Sequence, residues 1–553
     1  MIQADSKVKL HYMNIPFVKN PEIKSFRVIL SSIFIWALLI RLIFIIQSFN
    51  TPILGGLSLD SDMYDKFAVT LLEDGITDKT QIYGNSFYSY FLAGIYALFG
   101  LNHLPVALIQ AFLDSINCLL VFFIAKYCFN RTTGLMAAGI YALYGLVIFY
   151  SGIILPPVLT IFLSLSGAAC LMKGLDKQDN RFYFAAGISL AATALAQPHF
   201  SAVILLVLEW ISIRQSKRET FGPALKTVGA FLLGVILILG LMAWRHYASA
   251  GVSSPFAVQR GINFYIGNNP DAHGYYRTPE GMAAHPIKIV ESSIEKARKI
   301  TGHDLSPAEA SQYWMGQGMT FLKEHPGRAI ILYLKKLILF WRAEEIPSSI
   351  DFNLSKRFTP LLSLPFINFG SMAPLALIGI YLAWRQHRRA QIPVMFVSGL
   401  MLAVILFFVN ERYRLPAVPF LIMFAALALT EGWQAFKRRD KNNLIKGTAA
   451  LFILVLLINR PLALASAAKT SNQGTHYFNL GVTYQKQDDL RAAETAYQQA
   501  LSLCPDYPDV FNNLGLIYET RGQKNRARQA YRKALTLDPD FPQAQLNLQL
   551  LDQ

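Results

Sequence analysis

Charge is scarce in this chain: Asp, Glu, Lys and Arg together make up 16% of 553 residues, against 53% hydrophobic residues. That balance exceeds what a soluble core of this size needs and excludes an ordinary soluble globular protein. Cysteine is scarcer still. Cys118, Cys128 and Cys170 lie in or beside apolar runs and Cys504 lies near the C-terminus, which speaks for buried thiols and against a disulfide framework. No Gly-rich phosphate loop follows a strand, so ATP-driven chemistry is not expected. Ser61 has no His and Asp in a hydrolase order, and His273, His285 and His303 lack metal-ligand spacing. The net charge of +16 does not imply nucleic acid, because no basic face with interleaved aromatics exists.

What is present is a series of apolar runs. They fall near residues 28–48, 104–127, 132–150, 153–173, 182–197, 199–213, 224–246, 365–384, 391–409, 415–434 and 445–463, which predicts about eleven membrane spans. The first follows a polar segment with Lys7, Lys9, Lys19, Lys24 and Arg27 and precedes no small-residue cleavage pattern. It is expected to be a retained anchor, with residues 1–27 cytoplasmic. The pair 182–213, broken by Gln197-Pro198-His199, is expected to be a tight helical hairpin. With that count, the basic clusters Lys126/Arg131, Lys173 to Arg181, Arg214 to Arg218, Arg385 to Arg389 and Lys437 to Lys441 share the cytoplasmic side. The opposite side receives loops of about 49–103 and 247–364, in which the apolar stretches 86–100 and 327–343 are expected to lie at the interface, since Lys335-Lys336 interrupts the second.

The C-terminus changes character. Tyr477-Phe-Asn-Leu-Gly-Val-Thr-Tyr484 returns as Phe511-Asn-Asn-Leu-Gly-Leu-Ile-Tyr518, and Gly481/Gly515, Tyr484/Tyr518, Ala493/Ala527, Tyr497/Tyr531, Ala500/Ala534 and Pro505/Pro539 each differ by 34 residues. That is the tetratricopeptide period. The predicted fold class is therefore all-α: a polytopic bundle over 28–464, then a soluble repeat domain over 470–553. Stacked helix pairs present a concave surface for a partner protein or an acceptor, and they are expected to dock above the membrane domain.

Directly after the first span comes Leu59-Asp60-Ser61-Asp62-Met63-Tyr64-Asp65-Lys66-Phe67-Ala68. Asp60, Tyr64 and Ala68 fall one turn apart on one helical face, with Gly75 as a C-terminal stop. An ionised Asp60 at a helix start fits two roles, a general base facing a cavity or a plain N-cap. This Asp-x-x-x-Tyr-x-x-x-Ala pattern resembles the polytopic GT-C glycosyltransferases, and within them the protein O-mannosyltransferase and aminoarabinose transferase superfamily. The resemblance implies that Asp60 is the catalytic carboxylate. Relatives commonly carry a second acid next to it; here Ser61 takes that place and Asp62 follows, so Asp62 is the candidate partner.

Two further segments carry the resemblance. Glu411-Arg412-Tyr413-Arg414-Leu415-Pro416 is similar to the Arg-Tyr-x-Leu-Pro segment that holds the phosphate of a polyprenyl-phosphate sugar, which implies donor contacts from Arg412, Tyr413 and Arg414. Two guanidinium groups at an interface suit bidentate phosphate binding; a snorkelling basic anchor is the alternative. Gly261-Ile-Asn263-Phe264-Tyr265-Ile-Gly267-Asn268-Asn269-Pro270 resembles a segment of bacterial relatives. It implies sugar or acceptor contacts from Asn263, Tyr265, Asn268 and Asn269, together with Tyr64, although a turn bonding its own backbone needs the same residue types. Arg245, at a span end, is either a further phosphate partner or a membrane-end anchor. The chain departs from its relatives at Pro157, where many have Glu, and at Gln197-Pro198, where many have Arg-Pro. Asp62, Asp65, Glu73, Asp74 and Asp78 leave a divalent cation open, with no ligand set defined.

The function expected from these residues is transfer of a sugar, with inversion, from a polyprenyl-phosphate donor to a protein, lipid or glycan acceptor on the periplasmic face of a bacterial inner membrane. Two other readings stand beside it. One is an oligosaccharide ligase or polymerase using pyrophosphate-linked donors; the other is a non-enzymatic scaffold that recruits periplasmic partners through its repeats.

Overall fold

The computed structural model describes residues 21–49, 51–52, 60–75, 86–216, 221–256, 258–282, 286–347, 350–461 and 463–553. Lys7, Lys9, Lys19, Asp78, Arg218 and His285 lie outside them. The regular structure of the described residues is helical, apart from two isolated parallel bridges, Tyr144 with Ile367 and Tyr275 with Val409.

The membrane domain begins with α1 (Pro21–Ser48), then α2 (Asp60–Glu73), α3 (Ser86–Phe99) and α4 (His103–Cys128). It continues through α5 (Arg131–Ala142), α6 (Gly145–Gly152), α7 (Pro157–Lys177), α8 (Asn180–Ala196), α9 (Ser201–Ser216) and α10 (Phe221–Ala250). A layer outside the bundle follows, made of α11 (Arg260–Gly267), α12 (Pro286–Thr301), α13 (Pro307–Glu324), α14 (Pro326–Trp341) and α15 (Phe352–Ser355). The chain then returns to the bundle with α16 (Phe369–Gln386), α17 (Gln391–Leu406), α18 (Glu411–Arg414), α19 (Val418–Lys437) and α20 (Lys441–Asn459).

Among the described residues, six segments are long and apolar enough to cross a membrane: Arg27–Ser48, His103–Cys128, Pro157–Lys177, Gly222–Ser249, Glu411–Lys437 and Lys441–Asn459. Shorter apolar helices span Phe87–Phe99, Phe369–Arg385 and Gln391–Leu406. The protein is a multi-pass membrane protein. One expected span needs correction. The run 132–150 is broken after Ala142, because Gly145 N–H and Ile367 N–H enter a two-bond bridge, to Ile367 O at 3.0 Å and to Leu143 O at 3.1 Å. A Cβ on Gly145 would sit 3.1 Å from Phe366 Cβ, so a bulkier residue would push this junction apart.

The expected loop at 247–364 is also more than a loop. Helices α11, α12 and α13 build their own small core from Val258, Ile262, Ile289, Ile294, Ala297 and Trp314, and Trp314 Nε1 donates to Ser293 O at 3.0 Å. The sequence 302–307 hides this because its capping box, Ser306 with Glu309, is a local signal with no apolar run behind it.

Helices α21 (Ala463–Lys486), α22 (Leu490–Leu503), α23 (Pro508–Thr520), α24 (Lys524–Leu537) and α25 (Pro542–Asp552) form the repeats. Each helix pair closes in the same way. A Cβ at Gly481 would meet the Tyr497 ring at 2.4 Å and one at Gly515 the Tyr531 ring at 2.3 Å, so glycine admits the tyrosine. Those tyrosines then donate to Gln485 and Glu519, at 2.8 and 2.7 Å. The stretch 465–469, between the two expected domains, lies inside α21.

Sequence reading passed over one buried ion pair. Arg41 of α1 and Asp114 of α4 are fully buried and 2.6 Å apart, and Asp114 also accepts from Tyr141 Oη at 2.5 Å. Arg41 further donates to Ala37 O and Ala142 O. The charges thereby bind three helices where lipid offers no alternative partner. Removing one member leaves the other charge stranded. Asp114→Leu is expected to lower stability by about 3–5 kcal/mol, and Arg41→Met/Asp114→Leu by clearly less; thermal unfolding in detergent measures both.

Candidate active site

Helix α2 buries Ser61, Met63, Tyr64, Phe67, Ala68 and Leu71, an i, i+3, i+4, i+7 stripe that seats it on the bundle. The Tyr64 ring meets Tyr88 of α3 edge-on at 5.2 Å, and Ser89 Oγ donates to Tyr64 O at 3.2 Å. Asp65 fixes the outer side of the same helix: it accepts from Tyr96 Oη at 2.5 Å and lies 3.1 Å from His103 Nε2. Burial works against its charge, but the hydrogen bonds from His103 and Tyr96 outweigh it and hold the carboxyl below its ordinary value. The first turn of α2 is thus held from two sides.

Asp60 stands in that first turn, and its Oδ2 lies 2.5 Å from Arg412 Nη1. Their side chains are 16% and 10% exposed, low enough to strengthen the attraction and open enough for a ligand to reach. The sequence spacing between them is 352 residues. Arg412 is aimed by its neighbours. Asn410 caps α18 by accepting from Tyr413 N at 2.8 Å, Glu411 N donates to Ile346 O at 2.9 Å, and the buried Glu411 carboxyl accepts from Tyr150 Oη at 2.9 Å. The Tyr413 ring sits 4.9 Å from His199 and 5.5 Å from Phe408.

Arg414 does not join Arg412 at Asp60. It donates to Phe340 O at 2.9 Å, Arg342 O at 2.6 Å and Glu345 Oε2 at 2.5 Å, with Cζ 3.7 Å from the Phe369 ring centroid. Helical periodicity explains the divergence, since residues two apart on a short helix face opposite ways. Asp62 likewise turns aside, to Lys66 at 2.7 Å and to Lys486 of the repeats at 3.8 Å. Arg245 is buried with its Cζ 5.8 Å from the Tyr90 ring on α3.

The Asn pair proves structural in its contacts. Asn268 Nδ2 donates to Phe264 O at 2.9 Å and Leu406 O at 2.8 Å while its Oδ1 accepts from Lys336 Nζ at 3.1 Å. Asn269 Nδ2 donates to Tyr265 O at 2.8 Å, and its Oδ1 accepts from Asp271 N at 2.8 Å. Backbone groups and Lys336 thus engage both amides. Tyr265 packs on Trp314 at 4.7 Å, and Asn263 is half-buried on α11. Glycine is required beside them: a Cβ on Gly267 would lie 2.0 Å from Phe407 O. The segment therefore clamps the chain just before Arg412, and Val409 N closes the clamp on Gly274 O at 2.9 Å.

One neighbour of the ion pair escaped the sequence reading. Tyr276 packs on Phe408 at 5.3 Å, and burial, with the negative charge of Asp60 adding to it, pushes its phenol up to about 12. It lies six residues past the Gly-Asn-Asn-Pro motif, and only the fold turns it toward Asp60. Among the described residues no group of three or more His, Cys, Asp or Glu side chains gathers as a metal site; Asp60, Asp62 and Asp65 face three different partners.

With this geometry in view, residues 86–244 match the dolichyl-phosphate-mannose-protein mannosyltransferase family, and residues 471–540 match the tetratricopeptide repeat. The chain thus joins a membrane domain, similar over residues 86–244 to that family, to a helical repeat domain. It is similar to the apo oligosaccharyltransferase of Archaeoglobus fulgidus, with 13% identity and a TM-score of 0.44, covering 81% of this chain and 58% of that one. It is also similar to AglB of the same organism in complex with an inhibitory peptide and a dolichol-phosphate, with 14% identity and a TM-score of 0.38, covering 81% of this chain and 57% of that one. The chain spans less than three fifths of the length of either. No curated protein matches. The family match begins after Asp60 and ends before Arg412.

Lys336 supplies a pH test of the clamp. Burial drives its ammonium down to about 7 from an ordinary value of about 10.4. The unfolded chain therefore holds more protons between those values, so stability rises with pH from about 7 to about 10, and is flat below. Lys336→Met is expected to abolish that slope, as read from melting temperature against pH.

Proposed function

We propose that the protein transfers a sugar from a polyprenyl-phosphate carrier to an acceptor hydroxyl, at the periplasmic face of a bacterial inner membrane. The N-terminus is then cytoplasmic and the repeats are periplasmic. The observation that carries this reading is the contact of Asp60 with Arg412 at 2.5 Å, which supports Asp60 as a carboxylate base and Arg412 as the cation for the donor phosphate. The residue 86–244 match to a mannosyltransferase family supports the same class of chemistry.

The donor phosphate would take over Arg412 and release Asp60. Asp60 would accept the proton of the acceptor hydroxyl, and that oxygen would attack the anomeric carbon from the face opposite the phosphate. The sugar–phosphate C–O bond breaks, the polyprenyl phosphate leaves with the electron pair, and Arg412 stabilises the charge that develops on it. Tyr276, whose phenol stays protonated to about pH 12, would donate a hydrogen bond to the phosphate or the sugar. Tyr413 and Tyr64 would wall the chamber. A divalent cation has no preformed ligand set here, and no step relies on one.

Arg414 is committed to Glu345 and backbone carbonyls. One guanidinium at the acid favours a monophosphate over a pyrophosphate donor, and this supports the transferase over the ligase reading. Lys486 reaches Asp62, which supports an acceptor delivered beneath the repeats, hence a protein acceptor.

Asp60→Asn is expected to reduce transfer roughly a thousandfold with unchanged folding, and Arg412→Gln roughly a hundredfold. Asp62→Asn should retain most activity. The assay is mass spectrometry of acceptors after incubation with a polyprenyl-phosphate hexose. Full transfer by Asp60→Asn would overturn the reading in favour of a scaffold, and consumption of pyrophosphate-linked oligosaccharide alone would favour the ligase.

A further inference from the structure

At the end of the bundle away from Asp60, four helices stop around a cavity of about 580 Å³. Tyr127 comes from the last turn of α4, Asp176 from that of α7, Trp210 and Arg214 from the end of α9, Arg389 from the short turn before α17, and Ile392 from the start of α17. The volume is of the order of a small-ligand site, about 300–1,000 Å³. Its chemistry is more specific than its size. Arg389 Cζ lies 4.8 Å from the Tyr127 ring centroid and Arg214 Cζ 5.4 Å from that of Trp210, so each planar cation rests on an aromatic face at its own wall. Tyr127 Oη donates to Asp176 Oδ1 at 2.8 Å, which orients the carboxylate in the same cavity.

Two guanidinium groups facing one space suit a phosphodiester, whose non-ester oxygens accept from both. A lone carboxylate in the same wall disfavours a simple anion and asks for a hydrogen-bond donor or cation on the same ligand. Aromatic and arginine side chains at helix ends are also the groups that populate the headgroup level of a bilayer.

We propose that this cavity seats the headgroup of a glycerophospholipid, its phosphodiester between Arg214 and Arg389 and its terminal ammonium or hydroxyl on Asp176. Ethanolamine and glycerol headgroups satisfy all three residues. Choline carries the phosphodiester but has no N–H or O–H for Asp176. The bound lipid would join the ends of α4, α7, α9 and α17 on the face opposite the proposed catalytic site.

Native mass spectrometry of the full chain in detergent tests this, with dioleoyl phosphatidylethanolamine, phosphatidylglycerol, phosphatidylcholine and inorganic phosphate added separately. The ethanolamine and glycerol lipids are expected to be retained at least tenfold more than the choline lipid. Arg214→Gln/Arg389→Gln is expected to lower their retention at least tenfold. Equal retention of phosphatidylcholine, or unchanged retention in the double variant, would overturn the proposal. So would competition of millimolar phosphate against both lipids, which would identify a free-anion site. If the double variant melts early, Asp176→Asn decides alone: it should erase the ethanolamine-over-choline preference, and a preference that persists refutes the assignment.

Discussion

Everything at the candidate site depends on where the short turn 410–414 is held. Arg412 is one of three consecutive charged positions interleaved with Tyr413, and its neighbours consume their charge in structure. Glu411 is locked by Tyr150 Oη, and Arg414 by Glu345 and the carbonyls at the end of α14. With both flanks fixed, the remaining guanidinium has one direction left, toward Asp60. A pair held in this way is preorganised by its supports.

Those supports come from parts of the chain that local patterns cannot connect. The stripe of α2 and the repeat period were legible because both are regularities within a few turns, set by 3.6-residue geometry and by a 34-residue unit. Asp60 and Arg412 were legible through resemblance, and their contact followed from topology. Tyr150 with Glu411, 261 residues apart, was not legible: a tyrosine in an apolar run gives no sign of its partner. Arg41 did give a sign, as a lone cation deep in the first span, and its acid Asp114 sits equally alone in the next one. The contacts of Asn268 were not legible from residue type, since an amide suits a sugar and a backbone equally, and its partners Leu406 O and Lys336 are distant in the chain.

The outer layer and the repeats meet the bundle in different ways. Helices α11 to α13 have their own core and reach the site through the backbone clamp at Gly267 and Gly274. The repeats touch the membrane domain through polar and aromatic contacts, Gln473 to Asp351 at 3.4 Å, Arg357 over Tyr477 at 5.9 Å, and Lys486 to Asp62. Single polar contacts at the edge of an interface contribute little energy. The first layer is part of the architecture, and the second is a loosely seated cover.

Helix α20 ends at Asn459 and α21 starts at Ala463. So short a leash leaves the concave surface almost no room to wander from the bilayer. A ligand of the repeats would then be confined to a small volume over the first turn of α2, where its local concentration would reach the roughly millimolar range of short tethers, whatever its abundance in bulk. A weakly binding client would then behave, at that spot, as an abundant one.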